Sequence, residues 1–183
     1  MKILYTGGNG KYAKELKTIR TTLNISFPSK VDCDLLDRTN LEQFASSNKH
    51  YDVIITGANQ YPNDLNSFNI NSINIPVNHI YLLEKFHKPP KWFINLTTGL
   101  KDFDEHYLYR AQKTFCEDLY KRYFKYKNTK VKFINFHPHH IDDGYIRTRS
   151  AQAFIGMLEN IEEYKSGDYI VDYENIKIQK GRI

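Results

Sequence analysis

Two residues in the second half of the chain have the chemistry and spacing of a proton-transfer pair. In the stretch YRAQK, Tyr109 and Lys113 stand four residues apart, so a helix through this stretch places both side chains on one face. A phenol is a poor acid or base at neutral pH because its pKa in water is about 10. An ammonium one helical turn away favours the phenolate and makes proton transfer easier. Without other support, a surface pair or a core tyrosine is the better interpretation.

Two hydroxyl residues upstream supply that support. The stretch FINLTTGL predicts a strand that ends at Thr97 and Thr98. A hydroxyl there could hydrogen-bond a carbonyl or alcohol oxygen and stabilise charge in a transition state.

The stretch TGGNGKYA near the start has the spacing of a phosphate-binding turn. Gly7 would allow a sharp turn, Gly10 would let the backbone approach a pyrophosphate, and Ala13 would let the next helix pack closely on the strand. The start of that helix would offer free N–H groups and the positive end of its dipole. A strand-to-helix turn without a ligand remains the alternative.

Alternating strands and helices must position these residues. Short apolar runs predict strands at 2–6, 25–27, 51–56, 91–99, 131–138 and 168–174, with a short strand or edge segment at 30–37 and a polar tail after the last strand. Helical spacing predicts helices at 11–24, 39–48, 65–86, 105–126 and 149–164. Thr39 or Asn40 would cap the second helix, and Pro76 would break the third or begin a new one.

Repeated β–α units with apolar strands predict a doubly wound parallel sheet in a three-layer α/β/α domain that spans residues 1–183. Only six residues, 28–33, separate ISF from DLLD, fewer than a crossover helix and its loops need. One helix of a regular doubly wound fold should therefore be missing near residue 30.

The composition limits the kinds of partner that this protein is expected to bind. The net charge of +5 suits a phosphate-bearing ligand, but the basic residues are scattered among 21 acidic ones, so no specific nucleic-acid binding is expected. A signal segment and an apolar run long enough to span a membrane are both absent from the sequence, which favours a cytoplasmic protein without membrane association. The two cysteines form no C-x-x-C pair, so a disulfide scaffold or zinc site is not expected.

The order of these motifs resembles the short-chain dehydrogenase/reductase family. The resembling stretches run in order through roughly residues 1–150: TGGNGKYA, DLLD, VIITGAN, FINLTTG, YRAQK and NFHP. The glycine spacing is typical of the extended and atypical members. The resemblance implies an NAD(P)-binding Rossmann fold, catalysis by Tyr109, Lys113 and Thr98 with Thr97 as a close alternative, and a proton relay supported by Asn71.

The resemblance also implies the cofactor contacts. Asp34 and Leu35 would lie beside the adenine ring, and TGAN at 56–59 would support the sheet beside the cofactor. The full set of implied cofactor-binding residues is Gly7, Asn9, Gly10, Lys11, Tyr12, Lys30, Asp34, Leu35, Gly57, Ala58, Asn59, Thr97 and Pro138.

The mechanism that the resemblance implies is hydride transfer between NAD(P) and a small carbonyl or alcohol substrate. Tyr109 would give or take the proton on oxygen, Lys113 would assist it and hold the nicotinamide ribose, and Thr98 would orient the oxygen. Family members often dimerise through the helix that carries the tyrosine, so a homodimer or homotetramer is expected.

The region after β-strand 131–138 departs from the family pattern. Pro138 is followed by His139 where members often have Pro-Gly, and Thr148 is the counterpart of a threonine that often touches the cofactor. A histidine and aspartate cluster, His137, His139, His140, Asp142 and Asp143, could suggest a metal site, but it can as easily line a pocket or face solvent, and no metal is expected. Little of the chain follows residue 150, so the substrate region should be reduced.

Charge favours NADP over NAD. An acid at the end of the second strand would bond the adenosine ribose diol and repel a 2′-phosphate. The chain has Ser26, Ser29 and Lys30 there, and Lys11 in the glycine loop. The alternative is that Lys30 simply faces water.

A nonenzymatic NAD(P)-binding regulator or scaffold that retains the fold is the competing function. The intact pair of Tyr109 and Lys113 favours the enzyme, because a pure sensor has no need of a proton donor.

Overall fold

The computed structural model describes residues 1–57, 64–97, 107–127, 129–138 and 143–181. Their strands form one seven-stranded sheet in the order β2-β1-β3-β4-β5-β6-β7. Neighbouring strands from β2 through β6 are parallel, and β7 is antiparallel to β6. The strands are β1 (Lys2–Thr6), β2 (Asn24–Ser26), β3 (Val53–Thr56), β4 (Trp92–Leu96), β5 (Lys132–His137), β6 (Gly167–Asp172) and β7 (Lys177–Lys180).

Helices cover both faces of this sheet. They are α1 (Lys11–Thr18), α2 (Arg38–Asn48), α3 (Leu65–Asn69), α4 (Ile75–Lys85), α5 (Tyr107–Lys127) and α6 (Gly144–Glu159), with a π-helical turn at Ile70–Asn74 and a 3-10 turn at Ile161–Glu163. One apolar core joins the sheet to α1 and α6, and a second joins its other face to α2, α4 and α5. The predicted doubly wound, three-layer α/β/α fold is confirmed.

The central strands are apolar on both sides because both faces are covered. In β3, Ile54 faces the second core and Ile55 the first, and both are at most 1% exposed. The chain runs from β1 to β2 on one side and then to β3 on the other side of β1. The sheet order therefore reverses between β1 and β3, and ligands of doubly wound proteins bind at such a point.

Two predicted helices have different bounds in the structure. The helix predicted over 11–24 ends at Thr18, where Ile19 turns to an extended conformation. The run Thr18, Ile19, Thr21 and Thr22 is β-branched, which disfavours helix, and Ile19 packs against the first core. The helix predicted from residue 149 instead begins at Gly144, because the Asp143 side chain accepts the Ile146 N–H and caps it.

The prediction of a strand or edge segment at 30–37 is wrong, because this segment forms turns. The Asp34 carboxylate accepts the Leu36 N–H at 2.9 Å, a local bond that competes with strand pairing. The cap of α2 is Asp37, whose carboxylate accepts the N–H groups of Thr39 and Asn40, so the prediction that Thr39 or Asn40 caps this helix is wrong. Residues 27–37 contain no helix, but they contain no second strand either. The crossover helix from β2 to β3 is α2, so the predicted loss of a crossover helix is wrong.

The predicted polar tail is also wrong, since it contains β7. This strand pairs with β6 after a turn in which Ile176 has a φ of 52°. Tyr169 and Val171 of β6 pack in the first core, so β7 can pair with β6 although its own sequence is mostly polar. Within the described ranges, none of the helices is both long and apolar enough to cross a membrane.

Candidate nucleotide and catalytic site

The carboxyl ends of β1 and β3 are joined by the hydroxyl of Thr6. This hydroxyl donates to the Ile55 carbonyl and accepts the Gly57 N–H, both at 3.2 Å. A Cβ on Gly57 would lie 2.3 Å from the Tyr5 ring, so only glycine fits against that buried tyrosine. The two turns that flank the reversal of strand order are therefore fixed to each other.

The loop after β1 has the geometry of an anion cradle. Gly7 has a φ of 77°, and its carbonyl accepts the Gly10 N–H at 3.0 Å. Gly10 is the N-cap residue directly before α1; no described side chain caps the first turn of this helix, and that turn contains no acidic residue. Ala13 is fully buried in the first core, as the predicted close packing of helix on strand requires.

These residues fit a pyrophosphate. A Cβ on Gly10 would contact only the Gly7 carbonyl, at 3.4 Å, so the space before the helix is open and a side chain there would fill it. Asn9, Gly10 and Lys11 are exposed around this space. Tyr12 is buried and its hydroxyl lies 3.1 Å from Ser150 Oγ, so its side chain joins α1 to α6 rather than facing the loop.

The glycine loop is also held from behind. The Lys17 ammonium donates to the Gly8 carbonyl at 2.7 Å and lies 5.1 Å from the centre of the Phe27 ring. A Cβ on Gly8 would lie 2.9 Å from the Phe27 carbonyl oxygen, so the loop rests directly on the backbone that follows β2.

Tyr109 and Lys113 lie at the carboxyl end of β4, on the first turns of α5. Lys113 is 5% exposed and its ammonium donates to the Leu96 carbonyl at 3.0 Å. The same ammonium lies 5.4 Å from the centre of the Tyr109 ring. β4 is two strands from β1, so about 10 Å of sheet separates this pair from the glycine loop. The predicted pair is brought together at the edge that carries the cradle.

Thr97 lies just beyond β4 and faces α5. Its N–H donates to the Phe136 carbonyl at 3.0 Å, which continues the pairing with β5. Its hydroxyl donates to the Glu117 carboxylate, one helical turn beyond Lys113. Both Thr97 and Glu117 are buried. The Thr97 hydrogen is therefore used within the protein.

A buried histidine connects this helix to the end of β1. His79 Nε2 lies 2.9 Å from Thr6 Oγ1, and Nδ1 lies 3.0 Å from the Tyr120 hydroxyl. The imidazole therefore hydrogen-bonds through both ring nitrogens, to α5 on one side and to the end of β1 on the other. Burial, and secondly the charge of Lys113, lower the pKa of His79 to about 3, so the ring is neutral.

A row of polar side chains crosses the sheet beneath the same edge. Thr56 donates to Asn95 at 3.0 Å, Asn95 donates to Asn135 at 3.0 Å, and Asn135 donates to Asp168 at 2.9 Å. The Lys121 ammonium of α5 closes the row 3.5 Å from Asp168. These residues satisfy one another from strand to strand.

The segment after β2 is built from turns. The Lys30 side chain is 73% exposed and its ammonium lies 3.8 Å from Asp34. Leu35 is 6% exposed and packs in the second core, while its carbonyl accepts the Asn78 amide at 2.7 Å. Asp32 accepts from the N–H and hydroxyl of Ser29, and these bonds lower its pKa.

Several predicted residues lie outside the described ranges: Ala58, Asn59, Thr98, His139, His140 and Asp142. Asn71 lies in the π-helical turn before α4, and Pro138 is buried at the end of β5. The Thr148 hydroxyl donates to Glu15 of α1 at 2.7 Å. No cluster of three potential metal ligands occurs among the residues with a described position.

The sequence predictions missed Thr6, Lys17, His79, Glu117 and the polar row. A single residue such as His79 has no sequence pattern from which its role could be predicted. The polar row had a signal, because the tripeptide Phe-Ile-Asn occurs in both KWFINL and VKFINF, and the two copies pair residue for residue in β4 and β5.

No family model and no curated protein sequence matches the chain. Solved structures do match it. A small-chain dehydrogenase in complex with NADPH has a TM-score of 0.69 and 13% identity, over 96% of this chain and 98% of that one. The protein lin1944 from Listeria innocua has a TM-score of 0.68 and 14% identity, over 93% of this chain and 99% of that one.

Gre2 from Candida albicans in complex with NADPH has a TM-score of 0.65 and 12% identity, over 93% of this chain and 77% of that chain. These matches extend over nearly the whole of the present chain. The Rossmann fold implied by the resemblance to the short-chain dehydrogenase/reductase family is confirmed.

Proposed function

We propose that the chain is an NAD(P)-dependent oxidoreductase that transfers a hydride between the nicotinamide and a small carbonyl or alcohol substrate. The observation that carries the proposal is the position of Tyr109 and the buried Lys113 at the end of β4, two strands from the open glycine loop. The likeness to a dehydrogenase and to Gre2, both in complex with NADPH, supports it.

In this proposal the first-turn N–H groups of α1 bind the pyrophosphate, together with the loop at 7–10. The cofactor supplies or accepts the hydride when it is bound. Tyr109 gives or takes the proton on the substrate oxygen. Lys113 uses one of its three N–H groups on Leu96, so the others can hold ribose hydroxyls and keep positive charge beside the phenol.

The hydroxyl that orients the substrate oxygen is assigned to Thr98 rather than Thr97. The Thr97 hydroxyl has a single hydrogen, which goes to Glu117. Thr98 follows it directly in the chain and is therefore the proposed donor.

NADP is the proposed cofactor. β2 ends at Ser26, and the two acids nearest to its end, Asp32 and Asp34, accept hydrogen bonds from their own turn. No acid immediately follows the strand to repel a 2′-phosphate, and the mostly exposed Lys30 offers a positive charge.

The test compares wild type with Tyr109→Phe. NADPH binding is followed by its fluorescence, and NADPH oxidation is measured against a panel of small aldehydes and ketones. Tyr109→Phe should bind NADPH as wild type does and lose about 10²- to 10⁴-fold in turnover, the range for a removed general acid. Tyr126→Phe, at an 88% exposed tyrosine of the same helix, is the matched control and should leave both measurements unchanged.

The outcomes separate the two functions. Binding by wild type without oxidation of NADPH by any carbonyl would favour the nonenzymatic regulator. Failure to bind either NADPH or NADH would contradict both. Unchanged turnover in Tyr109→Phe would remove the tyrosine from the mechanism.

A further inference from the structure

We propose that Lys17 is a positioning residue of the glycine loop, which fixes the peptide between Gly8 and Asn9 so that the Asn9 N–H faces the bound pyrophosphate. The inference rests on the proposed function, because it assigns a part of the same nucleotide site. Lys17 lies in the last turn of α1, away from the glycine motif in sequence.

The contact that carries the inference joins the far end of α1 to the loop before it. The Lys17 ammonium donates to the Gly8 carbonyl at 2.7 Å, the length of a charge-assisted hydrogen bond. The same ammonium lies 5.1 Å from the centre of the Phe27 ring, which is a favourable cation–π arrangement. The ring and the carbonyl together give this flexible side chain one preferred position.

Gly8 cannot easily move away from this contact. A Cβ on Gly8 would lie 2.9 Å from the Phe27 carbonyl oxygen and 3.0 Å from its carbonyl carbon. The loop backbone therefore packs against the backbone after β2 on one side, while Lys17 holds the Gly8 carbonyl.

The orientation of the next N–H follows from peptide geometry. The Gly8 carbonyl and the Asn9 N–H belong to one peptide plane, and the described chain contains no cis peptide bond. In a trans peptide these groups point in opposite directions, so the Asn9 N–H points away from Lys17. Asn9 is exposed, and its N–H makes no hydrogen bond with the described residues.

That N–H would add to the donors at the start of α1. A single donor held in place before the ligand arrives loses little freedom on binding, which is the advantage of a preorganised site. Without Lys17 the peptide could rotate and present the Gly8 carbonyl, whose negative end repels a phosphate.

The experiment measures dissociation constants of NADPH, NADH and ADP-ribose, which share a pyrophosphate, for wild type and three variants. Lys17→Met should weaken all three ligands by about tenfold, the scale of one charge-assisted hydrogen bond. Lys17→Arg should recover most of the affinity because a guanidinium can donate to the same carbonyl. Lys14→Met, at an exposed lysine of the same helix, should stay within about twofold of wild type.

A second readout uses the protein without ligand. The amide signal of Asn9 in a ¹H–¹⁵N spectrum should move in Lys17→Met and stay in place in Lys14→Met. Unchanged affinity and an unmoved Asn9 signal in Lys17→Met would overturn the inference. A loss confined to NADPH would also overturn it, because Lys17 would then act on the 2′-phosphate.

The experiment distinguishes a failure of the proposed function from a failure of the role assigned to Lys17. Wild type that binds none of the three ligands contradicts the nucleotide site itself, and the ligand-binding part of the inference falls with it. Wild type that binds them, with Lys17→Met indistinguishable from it, contradicts only the role of Lys17.

Discussion

The two faces of the sheet hold different kinds of side chain at the edge where the site lies. On the face covered by α1 and α6, the strand residues stay apolar to the end, as in Leu96 and Phe136. On the face covered by α4 and α5, the strands β1, β3, β4 and β5 each change from apolar to polar within two residues, as from Phe93 to Asn95. The other residues that make this change are Thr6, Thr56 and Asn135.

The difference shows how this fold accommodates polar side chains at a buried edge of the sheet. An apolar face needs only packing, but every buried polar group on the other face needs a partner. The sheet provides those partners sideways, from Thr56 through Asn95 and Asn135 to Asp168, while α4 supplies His79 and α5 supplies Tyr120. The charged Lys113 is thus placed in a region that is already hydrogen-bonded.

The largest expected effect comes from the apolar face. Phe154 of α6 is fully buried, with its ring centre 4.3 Å from that of Phe136. Phe154→Ala should lower the free energy of unfolding by about 4 kcal/mol through lost transfer energy and a cavity. Urea unfolding measures this loss, and NADPH affinity per folded molecule should not change.

The control for this prediction is Phe115→Ala, at a phenylalanine that is 45% exposed on α5. It should cost about 1 kcal/mol or less because the side chain is half in water already. Equal losses from the two substitutions would show that the apolar face is not the better-packed region.

A smaller effect is expected from the polar row. Asn135→Leu removes the acceptor of the Asn95 amide and the amide that donates to Asp168. Leaving the buried Asn95 amide without its acceptor, and Asp168 with Lys121 in place of two partners, should cost about 3 kcal/mol, measured by urea unfolding. Asn175→Ala, at an exposed asparagine that bonds Asp172 in a turn, is the matched control and should be nearly neutral. A neutral Asn135→Leu would mean that the row is not a source of stability.

Much of the architecture could be predicted from the sequence because it depends on local pattern. The apolar runs of β1, β3, β4 and β5 were enough to predict the doubly wound sheet. The pair of Tyr109 and Lys113 was predictable for the same reason, since helical spacing fixes a shared face. The predicted missing helix was wrong because DLLD forms turns and not a strand.

The supporting contacts of the site could not be predicted in this way, because they join residues far apart in sequence. The bond from Thr6 to His79 spans 73 positions, and His79 belongs to no motif. The Lys17 contact is only nine positions long, but it needs Phe27 beside it. The edge elements were predicted wrongly where local hydrogen bonds decided the backbone, as at Asp34 and Asp37.

The smallest of these effects is a pH dependence that belongs to the polar face alone. The pKa of His79 is lowered to about 3 by burial and by Lys113, whereas an unfolded histidine has a pKa of about 6.5. Below pH 6.5 the unfolded chain binds a proton that the folded chain does not bind until the pH nears 3. Stability is therefore lost as the pH falls through this window, by about 2 kcal/mol at pH 5 relative to pH 7.

Urea unfolding of wild type and His79→Gln at pH 7 and pH 5 measures this contribution as a difference of differences. Whatever the absolute stability of His79→Gln, its loss of stability between pH 7 and pH 5 should be about 2 kcal/mol smaller than the loss in wild type. His87→Gln, at an exposed histidine just beyond α4, should keep the wild-type dependence. An unchanged dependence in His79→Gln would mean that the buried ring is protonated in the folded state, which its bonds to Thr6 and Tyr120 would then have to accommodate.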